Sequence, residues 1–224
     1  MKRVVICLIV AVGTLLTAVP AFAARGLIVF DGNSLVTGAQ AGPGRDFPSV
    51  MYRRAGGSFI KRNVAVSGQD IPAMAADAAA QIDPMFKKTR AYNVVVAWEI
   101  RNSFILFRWS PKQAVAEFAD YCRARRAAGF KVIVLTVLPT DAYDKPPGFD
   151  ADRATMNADI RAHWRRWADG IADVAASHYI GDDGDSLDLA YYAPGGVHLN
   201  NAGQRVVAHI VTSSALKMLH RAHL

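Results

Sequence analysis

Short apolar runs alternate with helical stretches along this chain, and no Asn-Gly type of hairpin turn joins neighbouring runs. Strands joined through helices run parallel, and a parallel sheet must be covered on both faces. The runs are Gly26–Phe30, Asn63–Val66, Tyr92–Ala97, Lys131–Val137 and Gly170–Ala175. Helices are expected over Phe47–Arg54, from Asp70 to about Ile82, from Ser110-Pro111 to near Gly129, over Arg153–Trp167, and from Asn200 or Asn201 to about Leu219. Asp70, with Pro72 two residues on, has the form of a helix start. Trp98–Ser103 is expected as a loop. Thr140–Asp152, with two prolines, one glycine and four aspartates, is expected as a longer one, at the rim of a site. The expected fold class is α/β, a three-layer α/β/α sandwich around a five-stranded parallel sheet.

The 224 residues fit one domain once the N-terminus is set aside. Met1-Lys2-Arg3 is basic, Val4–Ala18 is almost wholly apolar, and Ala21-Phe22-Ala23 has the small-x-small form of a signal-peptidase site. The expectation is a signal peptide over residues 1–23, cleaved after Ala23, and a mature domain over residues 24–224. The protein would then be exported, periplasmic or secreted, with no stable membrane insertion. The alternative is a retained anchor, because Val4–Phe22 is almost long enough to span a bilayer. Cleavage is favoured because no charged flank follows at once. Cys7 would leave with the leader, and Cys122 alone cannot form an intramolecular disulfide. Cys122 reads as a small buried hydrophobe.

The formal charge is +7, and loss of Lys2 and Arg3 would leave +5. The basic residues form small groups within helical patterns and do not alternate with aromatic residues, which argues against nucleic acid as a partner. No paired-Cys or Cys/His spacing suggests a metal site, and no cofactor is expected.

The loops that follow the strands of a parallel sheet converge on one edge, where such sheets bind ligands. The first loop, Asp31-Gly32-Asn33-Ser34, puts a hydroxyl there. The second carries Gly68, the third Asn102, and the last, before the final helix, His198. A serine becomes a nucleophile when a histidine takes its proton. A tetrahedral intermediate needs donors for its oxyanion. The backbone N–H groups of Ser34 and Gly68 and the Asn102 amide would supply three.

These blocks, in this order, resemble those of the SGNH hydrolase superfamily, the GDSL-type esterases and lipases. Asp31–Leu35 is similar to the nucleophile block, with Asn33 in the usual Asp place. Ala65–Gln69 is similar to the glycine block, Val94–Asn102 to the asparagine block, and Gly196–Gly203 to the histidine block. Leu138-Pro139 and Asn157 also stand where the family commonly has such residues. The resemblance runs from Val29 to about Gly203 and implies a flavodoxin-like sheet. It also implies serine ester hydrolysis with Ser34 and His198 catalytic and Ser34, Gly68 and Asn102 as the oxyanion hole.

Three positions depart from the pattern. Gly195 stands where the family usually has the triad Asp, and Ile100 and Ser103 stand where it has Gly and Asp. A triad acid holds the imidazole tautomer and stabilises the imidazolium. In its absence the expectation is a Ser34–His198 dyad, with Asp185 and Asp188 as potential spatial substitutes for the acid. Gly184-Asp185-Ser186-Leu187 spells the family motif, but no strand precedes it, so Ser186 is taken as a loop residue. Glu99, beside Trp98, is read as a structural residue that could also touch substrate.

The leading expectation is an exported serine esterase acting on small acyl or acetyl esters, with a small molecule or a carbohydrate as the ester substrate. The alternatives are an acyltransferase to sugar hydroxyls and a non-catalytic binding module of the same fold. A nucleotide-binding reading is disfavoured, since no phosphate-cradling loop follows the first strand.

Overall fold

The computed structural model describes residues 25–221. The leader, its cleavage site, Cys7 and His223 lie outside them. The strands are β1 (Leu27–Gly32), β2 (Ile60–Asn63), β3 (Asn93–Trp98), β4 (Lys131–Leu135) and β5 (Gly170–Ala172). They form one sheet in the order β2-β1-β3-β4-β5, every pair parallel. The helices are α1 (Ser34–Thr37), α2 (Phe47–Arg54), α3 (Ile71–Gln81), α4 (Arg101–Phe107), α5 (Pro111–Ala127), α6 (Phe149–His163) and α7 (Asn201–Arg221).

Alternate residues of each inner strand enter opposite cores. Leu27 and Val29 of β1, Val95 of β3 and Val132 of β4 pack with Met74 of α3, Phe118 of α5 and Ile160 of α6. Ile28, Phe30, Val94 and Ile133 pack with Phe47 and Val50 of α2 and Val207 and Val211 of α7. Trp164 and Cys122 are buried in the first core. Asp46, Asp70 and Ser110 cap α2, α3 and α5 by accepting N–H groups of Ser49, Ala73 and Gln113. Each such cap stabilises its helix by about 1 kcal/mol.

From β1 the chain passes to β2 on one side and later to β3 on the other. The carboxyl ends of β1 and β3 therefore flank the topological switch point, where a crevice opens in sheets of this kind.

The structure moves several expected boundaries. The second strand is Ile60–Asn63, not Asn63–Val66. It is an edge strand, with Arg62 exposed and Lys61 half-buried against Ser49, so no apolar run marks it. Val64 and Val66 still donate to the Phe30 and Gly32 carbonyls, which prolongs the ladder into the loop. The fourth strand stops at Leu135, and Val174–Ala176 is a 3-10 turn rather than strand. The expected loop after the third strand gives way at Arg101 to α4, and α6 starts at Phe149 instead of Arg153.

Candidate active site

β1 ends in Asp31-Gly32, and Asn33 caps α1 by accepting the Leu35 N–H at 2.9 Å. Ser34 is thereby fixed as the first residue of α1, 8 % exposed. Among the described residues its own N–H has no acceptor, as expected for the first turn of a helix. Gly68 lies in the turn after the β2 ladder at φ +83, a conformation that side chains disfavour. Its N–H is also without an acceptor among the described residues.

The histidine loop is pinned at its base by an antiparallel bridge between Tyr192 and Leu199. Asp141 N–H donates to the Gly196 carbonyl at 2.8 Å, which joins the loop after β4 to this one. His198 Nε2 stands 2.9 Å from Ser34 Oγ. Two residues of α7 tie this end of the chain to the Ser34 turn and the loop beyond it. Buried Gln204 accepts the Phe47 N–H at 2.8 Å and donates to the Leu35 carbonyl at 3.1 Å. Asn201 accepts the Gly42 N–H at 2.8 Å.

Asn102 lies in the first turn of α4, just beyond the end of β3, and its Nδ2 donates to the Gln69 carbonyl at 3.1 Å, beside Gly68. The residue before the helix, Ile100, offers no capping side chain. Glu99 does that work instead: its Oε1 accepts the N–H groups of Asn102 at 2.6 Å and Ser103 at 3.3 Å. Its Oε2 accepts Ser103 Oγ–H at 2.7 Å, and Ser103 Oγ accepts the Ile71 N–H at 2.8 Å. A buried relay thus links the asparagine turn to the start of α3, just beyond Gly68. In the sequence alone Glu99 reads as a structural residue, and Gln204 does not stand out at all. The position of Glu99 directly before the asparagine turn is the one local sign of its role. A polar residue on a helix gives no such sign for Gln204.

Burial governs the charges here. It lowers the His198 imidazole below its usual value, and the nearby Arg101 guanidinium adds to the effect. Burial also pushes the Glu99 carboxyl up to about 7 against its hydrogen bonds to Ser103 and Asn102. Asp31, near the end of β1, is raised to about 6 by burial, despite the hydrogen bond from Tyr121.

Asp185 and Asp188 are not brought to the imidazole by any hydrogen bond among the described residues. Asp185 accepts the Asp182 N–H and Asp188 the Ala190 N–H, so each caps its own turn. Gly195 sits at φ +96 with open space where a Cβ would be. Ser186 lies buried in a 3-10 turn, Asp185–Leu187, separated from β5 by a further turn rather than placed at a strand end. Asn157 clamps Val137, accepting its N–H at 2.7 Å and donating to its carbonyl at 2.9 Å, and so holds the chain just before Leu138-Pro139.

Gly68, Asn102 and His198 line one open cleft of about 570 Å³, walled by Arg101, Ile105 and Tyr143. Ala142, Tyr143 and Asp144 come from the loop after β4, the segment expected at the rim. Among the described residues no group of three or more His, Cys, Asp or Glu side chains is placed to hold a metal ion.

A parallel sheet with helices on both faces, and a serine and a histidine in contact at its carboxyl edge, define the class: a three-layer α/β protein with the architecture of a hydrolase. The chain belongs to the GDSL-like Lipase/Acylhydrolase family, whose model matches residues 30–206. No curated protein matches it. Among solved structures it is similar to a member of the lipolytic protein G-D-S-L family from Veillonella parvula. That pair shares 15% identity over 84% of this chain and 97% of the other, with a TM-score of 0.69. It is also similar to the psychrotrophic esterase EstA from Pseudoalteromonas, with 11% identity over 87% of this chain and 98% of the other and a TM-score of 0.63. A carbohydrate esterase of family 3 from Talaromyces cellulolyticus shares 18% identity over 88% of this chain and 99% of the other, with a TM-score of 0.61. At these identities the likeness is one of fold.

Proposed function

We propose that this chain is an exported serine esterase that hydrolyses small acyl or acetyl esters, on a small molecule or a carbohydrate, through a Ser34–His198 pair. The observation that carries the reading is the 2.9 Å approach of His198 Nε2 to Ser34 Oγ at the carboxyl edge of the sheet. An imidazole whose pKa lies below the usual value is neutral at pH 7 and free to accept the Ser34 proton. Ser34 Oγ attacks the ester carbonyl, and the oxyanion faces the Ser34 and Gly68 N–H groups and the Asn102 amide. His198 then protonates the leaving alcohol. In the second half, His198 takes a proton from water, the hydroxide attacks the acyl-serine, and the proton returns to Ser34 as the acid departs.

The test is p-nitrophenyl acetate hydrolysis by residues 24–224 beside Ser34→Ala, His198→Ala and Ser186→Ala. Loss of kcat by a factor on the order of 10⁶ is expected in the first two, as for the serine or the histidine of a serine triad, and parental rate in the third. Activity that survives Ser34→Ala overturns the assignment. An inactive parent whose Ser34 is not labelled by a fluorophosphonate points to a binding module instead.

A further inference from the structure

The catalytic cleft is lined by two cationic side chains, Arg101 and Arg108, against one carboxylate, Asp144. With His198 held neutral, the cleft carries a net positive charge. Arg101 takes part in no ion pair among the described residues. Its one hydrogen bond is a long one, Nη1 to the Asn102 Oδ1 at 3.4 Å. Its Nε is buried and has no partner among the described residues. Asp144 is close enough to be felt by Arg101 but makes no ion pair with it. The carboxylate oxygens of Glu99 are already engaged by Asn102 and Ser103. A guanidinium presents a planar fork of donors that suits a carboxylate, and one left without a carboxylate partner is poised to take one from a ligand. Arg101 adjoins the Asn102 amide, so an anion bound there lies within a few bonds of the scissile carbonyl.

Resting on the esterase reading, we propose that Arg101 makes this site selective for esters carrying a carboxylate close to the ester bond, with Arg108 strengthening the field at the cleft mouth. The apolar wall of Ile105 and Val197 accommodates the carbon skeleton between the two polar ends. Asp144 opposes the selectivity, so its removal sharpens it.

The experiment compares kcat/KM for three esters on residues 24–224. Mono-p-nitrophenyl succinate carries the carboxylate on the acyl side, 4-acetoxybenzoate carries it on the alcohol side, and p-nitrophenyl butyrate is the neutral reference. A second reference, phenyl acetate, matches the alcohol-side arm. The readout is the ratio of each anionic ester to its own reference, in which any common loss of rate cancels. One anionic ester is expected to be favoured at least ten-fold, and the arm that wins says on which side the charge sits. In Arg101→Met the ratio falls toward one, mostly through KM. Arg101→Lys restores part of it, and Asp144→Asn raises it. Ratios near one in the parent that do not change in these variants overturn the proposal while leaving the esterase reading intact. If no ester turns over and Ser34 takes no fluorophosphonate, the esterase reading fails on its own. Calorimetry with monomethyl succinate on Ser34→Ala then decides the anion site. Binding that is lost in Ser34→Ala/Arg101→Met supports it, and no binding overturns it.

Discussion

The Glu99 carboxylate accepts the Asn102 backbone N–H at 2.6 Å, so the side chain three residues earlier fixes where the asparagine stands. A helix start normally finds its cap in the residue at its own boundary. Here that residue is Ile100, and a buried acid one position earlier takes its place. Glu99→Ala strands the Asn102 N–H and the Ser103 hydroxyl. Activity should fall by roughly 10²-fold, chiefly in kcat, as expected when an oxyanion donor is displaced. Glu99→Gln, which keeps one acceptor, should lose less. Steady-state kinetics on both variants checks the order.

The same residue makes stability depend on pH. Its pKa is raised in the fold from 4.5 to about 7, so the native state holds its proton where the unfolded chain has released it. Stability therefore falls as pH rises from about 4.5 to 7 and is level beyond. A tenfold difference in proton affinity between folded and unfolded chain is worth about 1.4 kcal/mol, so the Glu99 contribution is on the order of 3 kcal/mol. Glu99→Gln should remove that slope, and the difference between parent and variant melts from pH 4.5 to 8 isolates it from the similar slope set by Asp31.

Activity should follow a different titration. In the proposed mechanism His198 must be neutral to act as base, and burial together with Arg101 holds its pKa below 6.5. The acid limb of kcat/KM should therefore have its midpoint below 6.5. Arg101→Met removes one cause, and the midpoint should move upward, toward the free imidazole value. A pH–rate profile with a neutral ester measures both.

Replacing Gly195 by Asp restores the letter of the family pattern and not its function. At φ +96 an aspartate is strained by about 1–3 kcal/mol. The backbone that would aim its carboxylate at the imidazole is also set by Gly196, whose φ is +61. Gly195→Asp should lower the melting temperature and leave kcat no higher than the parent's. A rise in kcat would show that the loop rearranges to complete a triad.

Gln204→Ala removes both bonds that join α7 to the Ser34 turn and α2, and leaves the Phe47 N–H and Leu35 carbonyl unpaired and buried. A loss of about 2–4 kcal/mol is expected for two such groups. Gln204→Glu should cost as much, because a carboxylate has no donor for the Leu35 carbonyl. Chemical denaturation measures both.

Much of the layout is legible in the sequence because its signals are local. β1 opens on the apolar run Leu27–Phe30 and goes on through Asp31 to Gly32, two residues past the expected end, while α2 has Asp46 as its cap and Pro48 in its first turn, so its bounds agree with the expectation. The parallel sheet and the family follow from the alternation of runs and helices and from the blocks of residues around Ser34 and His198. What the sequence hides depends on partners distant along the chain or on unusual caps. α4 starts without a capping side chain at its boundary, and α6 starts after Gly148, at φ +80, with its first-turn acids Asp150 and Asp152 resembling loop residues. β2 is an edge strand whose charged residues mask it. Gln204 acquires its importance only when α7 lies against α2, a contact that no spacing announces.

That stitching has a consequence for synthesis. Ser34 leaves the ribosome early, and the sheet around it can form from the strands that follow. Its histidine, and the glutamine that braces it, belong to the last described helix and its approach. A nascent chain arrested before α7 would expose the second core and hold an inert serine. The appearance of turnover, unlike the appearance of secondary structure, would mark the moment at which the two ends of the described chain have met.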